Sequence, residues 1–276
     1  MNKIIDGKLV RDARANELME KVKNIKDELT LVVISVGNDE ASRVYVGQKE
    51  KMANKIGYSF LNLHYDEIEE EELIHKIEEL NNDQKITGII VQLPLPAYLN
   101  KEKIINAISP LKDVDGLTNY NLIKLIKKEE CLIPCTPLGI MNLLDYYKIN
   151  LETNIVIVGR SELVGLPLFH LLENRNATVT LCHSKTKNLG DITKNADILI
   201  VCVGKKELIT KDMVKDGGII IDVGINREDD KLYGDVSSLA MEKAQLMTPV
   251  PGGVGPMTVI SLMENVYKAY CFQNKK

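Results

Sequence analysis

Short β-branched runs alternate with helical stretches along almost the whole chain. Residues 31–36 (LVVISV) form an apolar run of strand length, and 39–56 then carry apolar positions at helical spacing as far as Gly57. SFLNLHY (59–65) reads as a second strand, Glu67–Leu80 as an acidic helix, and ITGIIVQLPLP (86–96) as a third strand ending in a proline turn. This β-α-β-α-β order predicts a mostly parallel sheet with helices on both faces. A second series follows IPCTPLG (133–139), which leads into a short helix. NIVIVG (154–159), TVTLCH (178–183), DILIVCVG (197–204) and GGIIIDVGI (217–225) supply four more strands, and a last helix runs through VISLMENVYKAYCF (259–272). The fold class is α/β, with two α/β domains and a boundary near residue 139.

Bulk properties exclude more than they indicate. With 35 basic and 39 acidic side chains, the net charge is −4 and no basic block is available for a polyanion, which argues against nucleic acid. The N-terminal stretch mixes charges of both signs and lacks the unbroken apolar core of a signal peptide. No run approaches the roughly 18 apolar residues of a membrane span. Five cysteines, an odd number at 131, 135, 182, 202 and 271, suit reduced thiols in a cytoplasmic protein. Cys131 and Cys135 lack the second pair or histidine cluster of a zinc site, so they read as small hydrophobes and a loop thiol, and no metal is expected.

Candidate chemistry lies in both halves. Strand NIVIVG runs into Gly159-Arg160-Ser161-Glu162-Leu163-Val164-Gly165 and then a helical stretch, the strand–turn–helix order of a dinucleotide fold. Ser161 and Val164 stand where the common fingerprint has its second and third glycines, so the turn also fits simple helix–sheet packing. The following strand ends Cys182-His183-Ser184-Lys185, with no acid for ribose hydroxyls. With Arg160 nearby, this favours the extra phosphate of NADP. In the first half, a helix over 39–56 would place Ala41, Val44, Tyr45, Gln48, Lys49, Met52 and Ile56 on one stripe. Glu40, Arg43, Gly47, Glu50 and Asn54 fall opposite. A lysine on the covered stripe either snorkels or lines a cleft, where desolvation would suit it to proton transfer. Gln92 sits at the carboxyl end of its strand, where ligands of open sheets gather. Asp113 and Asp115 lie in a turn sequence, and turn aspartates commonly bond their own backbone.

Eight segments in order carry a family resemblance: Tyr45-Val-Gly-Gln-Lys49, VQLPLP (91–96), KDVDG (112–116), PCTPLG (134–139), VGRSELVG (158–165), CHSKT (182–186), IDVGINR (221–227) and PGGVGPMT (251–258). Together they resemble the bifunctional methylenetetrahydrofolate dehydrogenase/methenyltetrahydrofolate cyclohydrolases. Two departures are visible: Leu163 where isoleucine is common in that motif, and GDVSSL (234–239) in place of GDVDF.

The resemblance implies a folate-binding catalytic domain over 1–139 and 259–276, a Rossmann-like NADP-binding domain over 140–258, and a C-terminal helix returning to the first domain. It implies oxidation of 5,10-methylenetetrahydrofolate with NADP, then hydrolysis of the methenyl form to 10-formyltetrahydrofolate. Lys49 would be the principal catalytic group, Gln92 would orient it, Tyr45 would stack on the folate rings, and Asp115 would bind the polar pterin edge. Leu93, Pro251, Gly252 and Gly253 would complete the folate contacts. Arg160 and Ser184 would meet the 2′-phosphate, Ser161 and Gly165 would form the pyrophosphate turn, and Gly159, His183 and Ile225 would add cofactor contacts. A cytoplasmic homodimer joined through the nucleotide domain is also implied. Two other readings remain open on the residues alone: a shikimate-type NADP dehydrogenase and a non-catalytic nucleotide- or folate-binding regulator.

Overall fold

The computed structural model describes residues 4–229 and 231–275; the expected domain ends at 1–3 and at 276 lie outside them. The first elements in the chain are α1 (Gly7–Val22), β1 (Thr30–Val36), α2 (Glu40–Ile56), β2 (Ser59–Tyr65) and α3 (Glu70–Asn82). They are followed by β3 (Gly88–Val91), α4 (Lys101–Asn106), α5 (Asn119–Ile126) and α6 (Cys135–Tyr146). Then come β4 (Asn154–Val158), α7 (Gly165–Glu173), β5 (Thr178–Cys182), α8 (Leu189–Thr193), β6 (Ile198–Val201) and β7 (Ile219–Asp222). A small hairpin, β8 (Asn226–Glu228) with β9 (Lys231–Tyr233), precedes β10 (Leu246–Met247) and the last helix, α9 (Val254–Gln273).

Two compact units result. One comprises Ala13–Cys135 with the described residues from Val259 onward; the other comprises the described residues up to Asp12 with Thr136–Thr258. The sequence had placed residues 4–12 with the first segment. They group instead with 136–258, because Ile5 N–H donates to Met247 O at 2.9 Å, Asp6 N–H to Tyr147 Oη at 2.8 Å and Gly7 N–H to Gly252 O at 3.0 Å.

In the unit containing 13–135, a parallel sheet of order β2-β1-β3 is built from the runs the alternation marks as strands. Val32, Ile34, Ile89 and Val91 turn one face onto Leu73, Ile77 and Leu80 of α3 and Ile104 of α4, all buried. α3 begins at Glu70, three residues later than the acidic run suggests. Its first turn carries Glu70, Glu71 and Glu72, which suits the positive end of the helix dipole. Glu70 also receives Asn100 N–H at 2.7 Å and the Lys103 ammonium at 2.9 Å. α2 is bounded as its sequence asks. Asp39 accepts Ser42 N–H at 2.7 Å, and Gly57 closes the helix in the left-handed region. Its buried face differs from the expected stripe: Val46, Lys49, Met52, Ala53 and Ile56 are covered, whereas Ala41, Val44, Tyr45 and Gln48 are exposed. Cover begins only at Val46, and from there the buried face is turned slightly from the expected stripe, taking in Val46 and Ala53 and leaving out Gln48.

The other unit holds a five-stranded parallel sheet, β10-β7-β6-β4-β5, whose chain order reverses between β4 and β6. Val156, Val158, Leu199, Val201 and Ile220 form its core with Ala240, Ala244 and Met247.

Candidate active site

Lys49 and Gln92 meet at the carboxyl edge of the three-stranded sheet. Gln92 N–H donates to Ile34 O at 2.8 Å, which continues the β1–β3 pairing one residue past β3 and fixes the glutamine backbone. From there Gln92 Nε2 donates to Leu93 O at 2.7 Å, which leaves Oε1 to accept Lys49 Nζ at 2.7 Å. Both side chains are 9% exposed. Burial holds the Lys49 amine below its ordinary range, opposed chiefly by the negative charge of Asp115. Tyr45, one turn earlier on α2, is 37% exposed, and partial burial raises its phenol.

The chain after α4 brings Asp115 to the same edge. Ile89 N–H donates to Lys112 O at 2.7 Å, so residues 112–114 run beside β3. Gly88 permits this approach, since a Cβ there would meet Val114 Cγ1 at 2.5 Å. The motif KDVDG then divides its labour. Lys112 Nζ caps the end of α3 through Leu80 O at 3.0 Å and Asp83 O at 2.7 Å. Asp113 accepts Leu117 N–H, Thr118 N–H and Asn121 Nδ2 at 3.1, 2.8 and 2.9 Å, the backbone-bonding role expected of a turn aspartate. Only Asp115 of the pair reaches Lys49's surroundings.

Sequence reasoning missed Cys135 as part of this cluster. Its thiol donates to Val114 O at 3.3 Å, lies in the fields of Asp115 and Lys49, and is pushed well above its usual range by burial. It is therefore a protonated thiol here. Its signal was its place in PCTPLG, next to Pro134 and at the very start of α6 rather than in a helix interior. Asn265 of α9 was missed too. Its Nδ2 donates to Val114 O at 2.9 Å and Ile133 O at 2.8 Å, so the last helix braces the segments carrying Asp115 and Cys135.

The five-stranded unit carries the nucleotide candidates at its own carboxyl edge. Gly159 follows β4 with φ +120°, and a Cβ on Gly165 would meet Gly159 O at 1.9 Å, so both positions require glycine for α7 to start against the strand. Ser161 Oγ accepts Val164 N–H at 3.2 Å and shapes the turn, while Arg160 and Ser184 are exposed beside it. His183 forms a tight loop after β5, its N–H donating to Thr186 Oγ1 at 2.9 Å. Ile225 follows β7 and is 47% exposed. Pro251, Gly252 and Gly253 lie in the loop before α9 and belong to this unit, where Gly7 packs on Gly253 O. The tight glycine turn, the exposed cation and the absence of an acid after β5 fit a dinucleotide with a 2′-phosphate. Among the described residues, no cluster of His, Cys, Asp or Glu could hold a metal, and no helix is long and apolar enough to cross a membrane.

These features define a two-domain α/β chain in which a nucleotide-binding unit accompanies a unit built around a buried lysine–amide pair. The description "Tetrahydrofolate dehydrogenase/cyclohydrolase, catalytic domain" matches residues 5–115, and its "NAD(P)-binding domain" matches 134–274. The chain is 48% identical over 269 residues to the bifunctional protein FolD of Clostridium novyi, covering 95% of this chain and 97% of that one. It superposes with TM-score 0.96 on the bifunctional 5,10-methylenetetrahydrofolate dehydrogenase/cyclohydrolase of Thermoplasma acidophilum, at 38% identity over 99% of this chain and 100% of the other. The Trypanosoma brucei dehydrogenase-cyclohydrolase complexed with NADP and inhibitor gives TM-score 0.93 at 32% identity, covering 99% and 98%. The chain belongs to the tetrahydrofolate dehydrogenase/cyclohydrolase family.

Proposed function

We propose that this chain oxidises 5,10-methylenetetrahydrofolate to the methenyl form with NADP and hydrolyses that product to 10-formyltetrahydrofolate. The observation that carries the reading is the buried Lys49–Gln92 hydrogen bond of 2.7 Å. A neutral amide partner holds the amine without adding negative charge, while burial lowers its proton affinity, so the amine exchanges protons with water under mild conditions. Lys49 accepts one proton as water adds to the methenyl carbon; the C–N5 bond of the adduct then breaks as its hydroxyl proton is lost and N5 takes up a proton, which leaves the formyl group on N10. Gln92 keeps Nζ aimed, Tyr45 stacks on the folate ring system, and Asp115 hydrogen-bonds the polar edge of the pterin. Leu93, Pro251, Gly252 and Gly253 add folate contacts.

Bound NADP supplies the hydride acceptor for the oxidation. Arg160 and Ser184 hold its 2′-phosphate, and Gly159, Ser161 and Gly165 form the pyrophosphate turn, with His183 and Ile225 beside them. In our reading the enzyme works in the cytoplasm as a homodimer joined through the five-stranded unit. The test is spectrophotometric: 5,10-methylenetetrahydrofolate with NADP should give NADPH and then methenyl decay faster than in buffer. Reduction of NADP by a shikimate-like hydroxy acid, with no folate turnover, would overturn it.

A further inference from the structure

Two buried aspartates in the five-stranded unit have no part in the reading above. Asp235 is fully buried, and its carboxylate is saturated by four donors. Oδ2 accepts Val203 N–H at 2.6 Å and Gly204 N–H at 2.9 Å; Oδ1 accepts Lys205 N–H at 2.8 Å and Asn226 Nδ2 at 3.0 Å. Three successive amides of the loop after β6 are thus committed to one side chain. Asp222, at the end of β7 and 1% exposed, braces Asp235 in turn. Its carboxylate accepts Gly224, Asp235 and Val236 N–H at 3.0, 2.9 and 3.0 Å. The two glycines beside them leave no spare room: a Cβ on Gly224 would meet Asp235 Oδ1 at 2.2 Å, and one on Gly234 would meet Asp222 Oδ2 at 1.8 Å.

The knot joins the loops after β6 and β7, the strands on the far side of the order reversal from β5. In a doubly wound sheet a dinucleotide spans the strand ends at that reversal. With the 2′-phosphate candidates Arg160 and Ser184 after β4 and β5, the β6 and β7 loops fall to the nicotinamide half. Each of these loops turns a branched apolar side chain outward: Val203 is 44% exposed and Ile225 is 47% exposed. An exposed isoleucine or valine on a loop is unremarkable alone. Here the backbone beneath each is fixed by a buried carboxylate, a costly arrangement for loops that only connect strands.

We infer that Asp235, braced by Asp222, is a positioning residue that sets the β6 and β7 loops so that Val203 and Ile225 form an apolar face for the nicotinamide end of the cofactor. This rests on the assignment of NADP to the five-stranded unit. Asp235 touches no reactant in this scheme; it acts through the loop backbone.

Two substitutions disturb the knot by different means. Asp235→Asn keeps the shape but turns an NH2 group toward amides that already donate, so at least two of the four hydrogen bonds are lost. Gly224→Ala keeps every donor and acceptor and displaces Asp235 sterically. Both should raise the calorimetric Kd for NADP by about tenfold or more, with the KM for the folate substrate within about twofold of wild type. Amide hydrogen exchange at 203–205 should quicken in step. Should both variants fail to fold, Asn226→Ala, which removes one donor only, carries the test, with a smaller rise in Kd and faster exchange at Lys205. Unchanged NADP affinity in a folded variant whose loop exchange has quickened would overturn the inference, as would equal losses for NADP and folate. Failure of the wild-type protein to bind NADP would instead remove the assignment beneath it.

Discussion

Replacing Gln92 with glutamate changes one neutral acceptor to a charged one at nearly constant shape. Gln92 Oε1 lies 2.7 Å from Lys49 Nζ, so a carboxylate oxygen there would attract the ammonium by about 6 kcal/mol at an effective dielectric of about 20. Two costs oppose this. Burial of the new charge removes several kcal/mol, and the second oxygen would face Leu93 O, where Nε2 now donates at 2.7 Å, costing about 1–3 kcal/mol. If only about 1.4 kcal/mol survives, the free amine still becomes tenfold scarcer at a given pH. The sign is fixed: a carboxylate favours the charged ammonium, so the hydrolytic activity of Gln92→Glu should fall near neutrality and recover as pH rises. The assay is methenyltetrahydrofolate decay between about pH 6 and pH 9, with NADPH formation followed separately. Gln92→Met, which offers neither acceptor nor charge, should lose hydrolysis without alkaline recovery. A wild-type pH profile in folded Gln92→Glu would refute the proton-transfer role of Lys49.

Lys49→Met should abolish hydrolysis while impairing oxidation less, and Lys49→Arg should also fail because a guanidinium does not deprotonate in this range; retained methenyl decay in either variant contradicts the assignment. Asp115→Ala should raise the folate KM by about tenfold, the scale of a lost charge-assisted hydrogen bond, and leave calorimetric NADP affinity unchanged, with Asp113→Ala as the variant that loses stability instead. Arg160→Ala should weaken NADP more than NAD, by about tenfold in the ratio of the two affinities, and equal losses would sink the 2′-phosphate role. Burial pushes the Asp113 and Asp222 carboxyls up to about 6 in the folded state. The folded protein therefore holds protons that the unfolded chain releases, and the stability this gives below about pH 4 is lost as pH rises through about 6. For Asp222 the full change is at most about 3 kcal/mol, so Asp222→Asn should flatten the slope of urea midpoint against pH between 4 and 6.5; parallel slopes would contradict it.

Apart from β10, the strands of both sheets were legible because buried parallel strands are near-continuous apolar runs rich in β-branched residues, as in LVVISV and ILIV. The Lys49–Gln92 pair was legible only through the family resemblance: residue pattern alone left the lysine open to snorkelling and the glutamine open to being solvated surface. α4, β10 and the β8–β9 hairpin were not read, since elements of two to six residues carry too little periodicity to separate from turns. The covered face of α2 was misjudged because residue spacing says which positions share a face, not how far along the helix its cover extends. Asp222 and Asp235 escaped for a third reason. An aspartate beside glycine looks like any turn former, and only the tertiary placement of seven donors distinguishes them.

The two hydrogen bonds from Asn265 to Val114 O and Ile133 O have a consequence for biosynthesis. Residues 13–135 leave the ribosome long before residue 265, because the entire segment 136–258 is made in between. Until α9 emerges, the carbonyls flanking Asp115 and Cys135 lack the side chain that ties them together. The nascent chain can therefore assemble its five-stranded unit during synthesis while the lysine site still waits for its brace, since domains fold as units as the chain emerges. A chain cut short just before residue 265 would carry all of 136–258 yet leave the lysine site unbraced. The final helix thus supplies the last tie between the two segments at the lysine site.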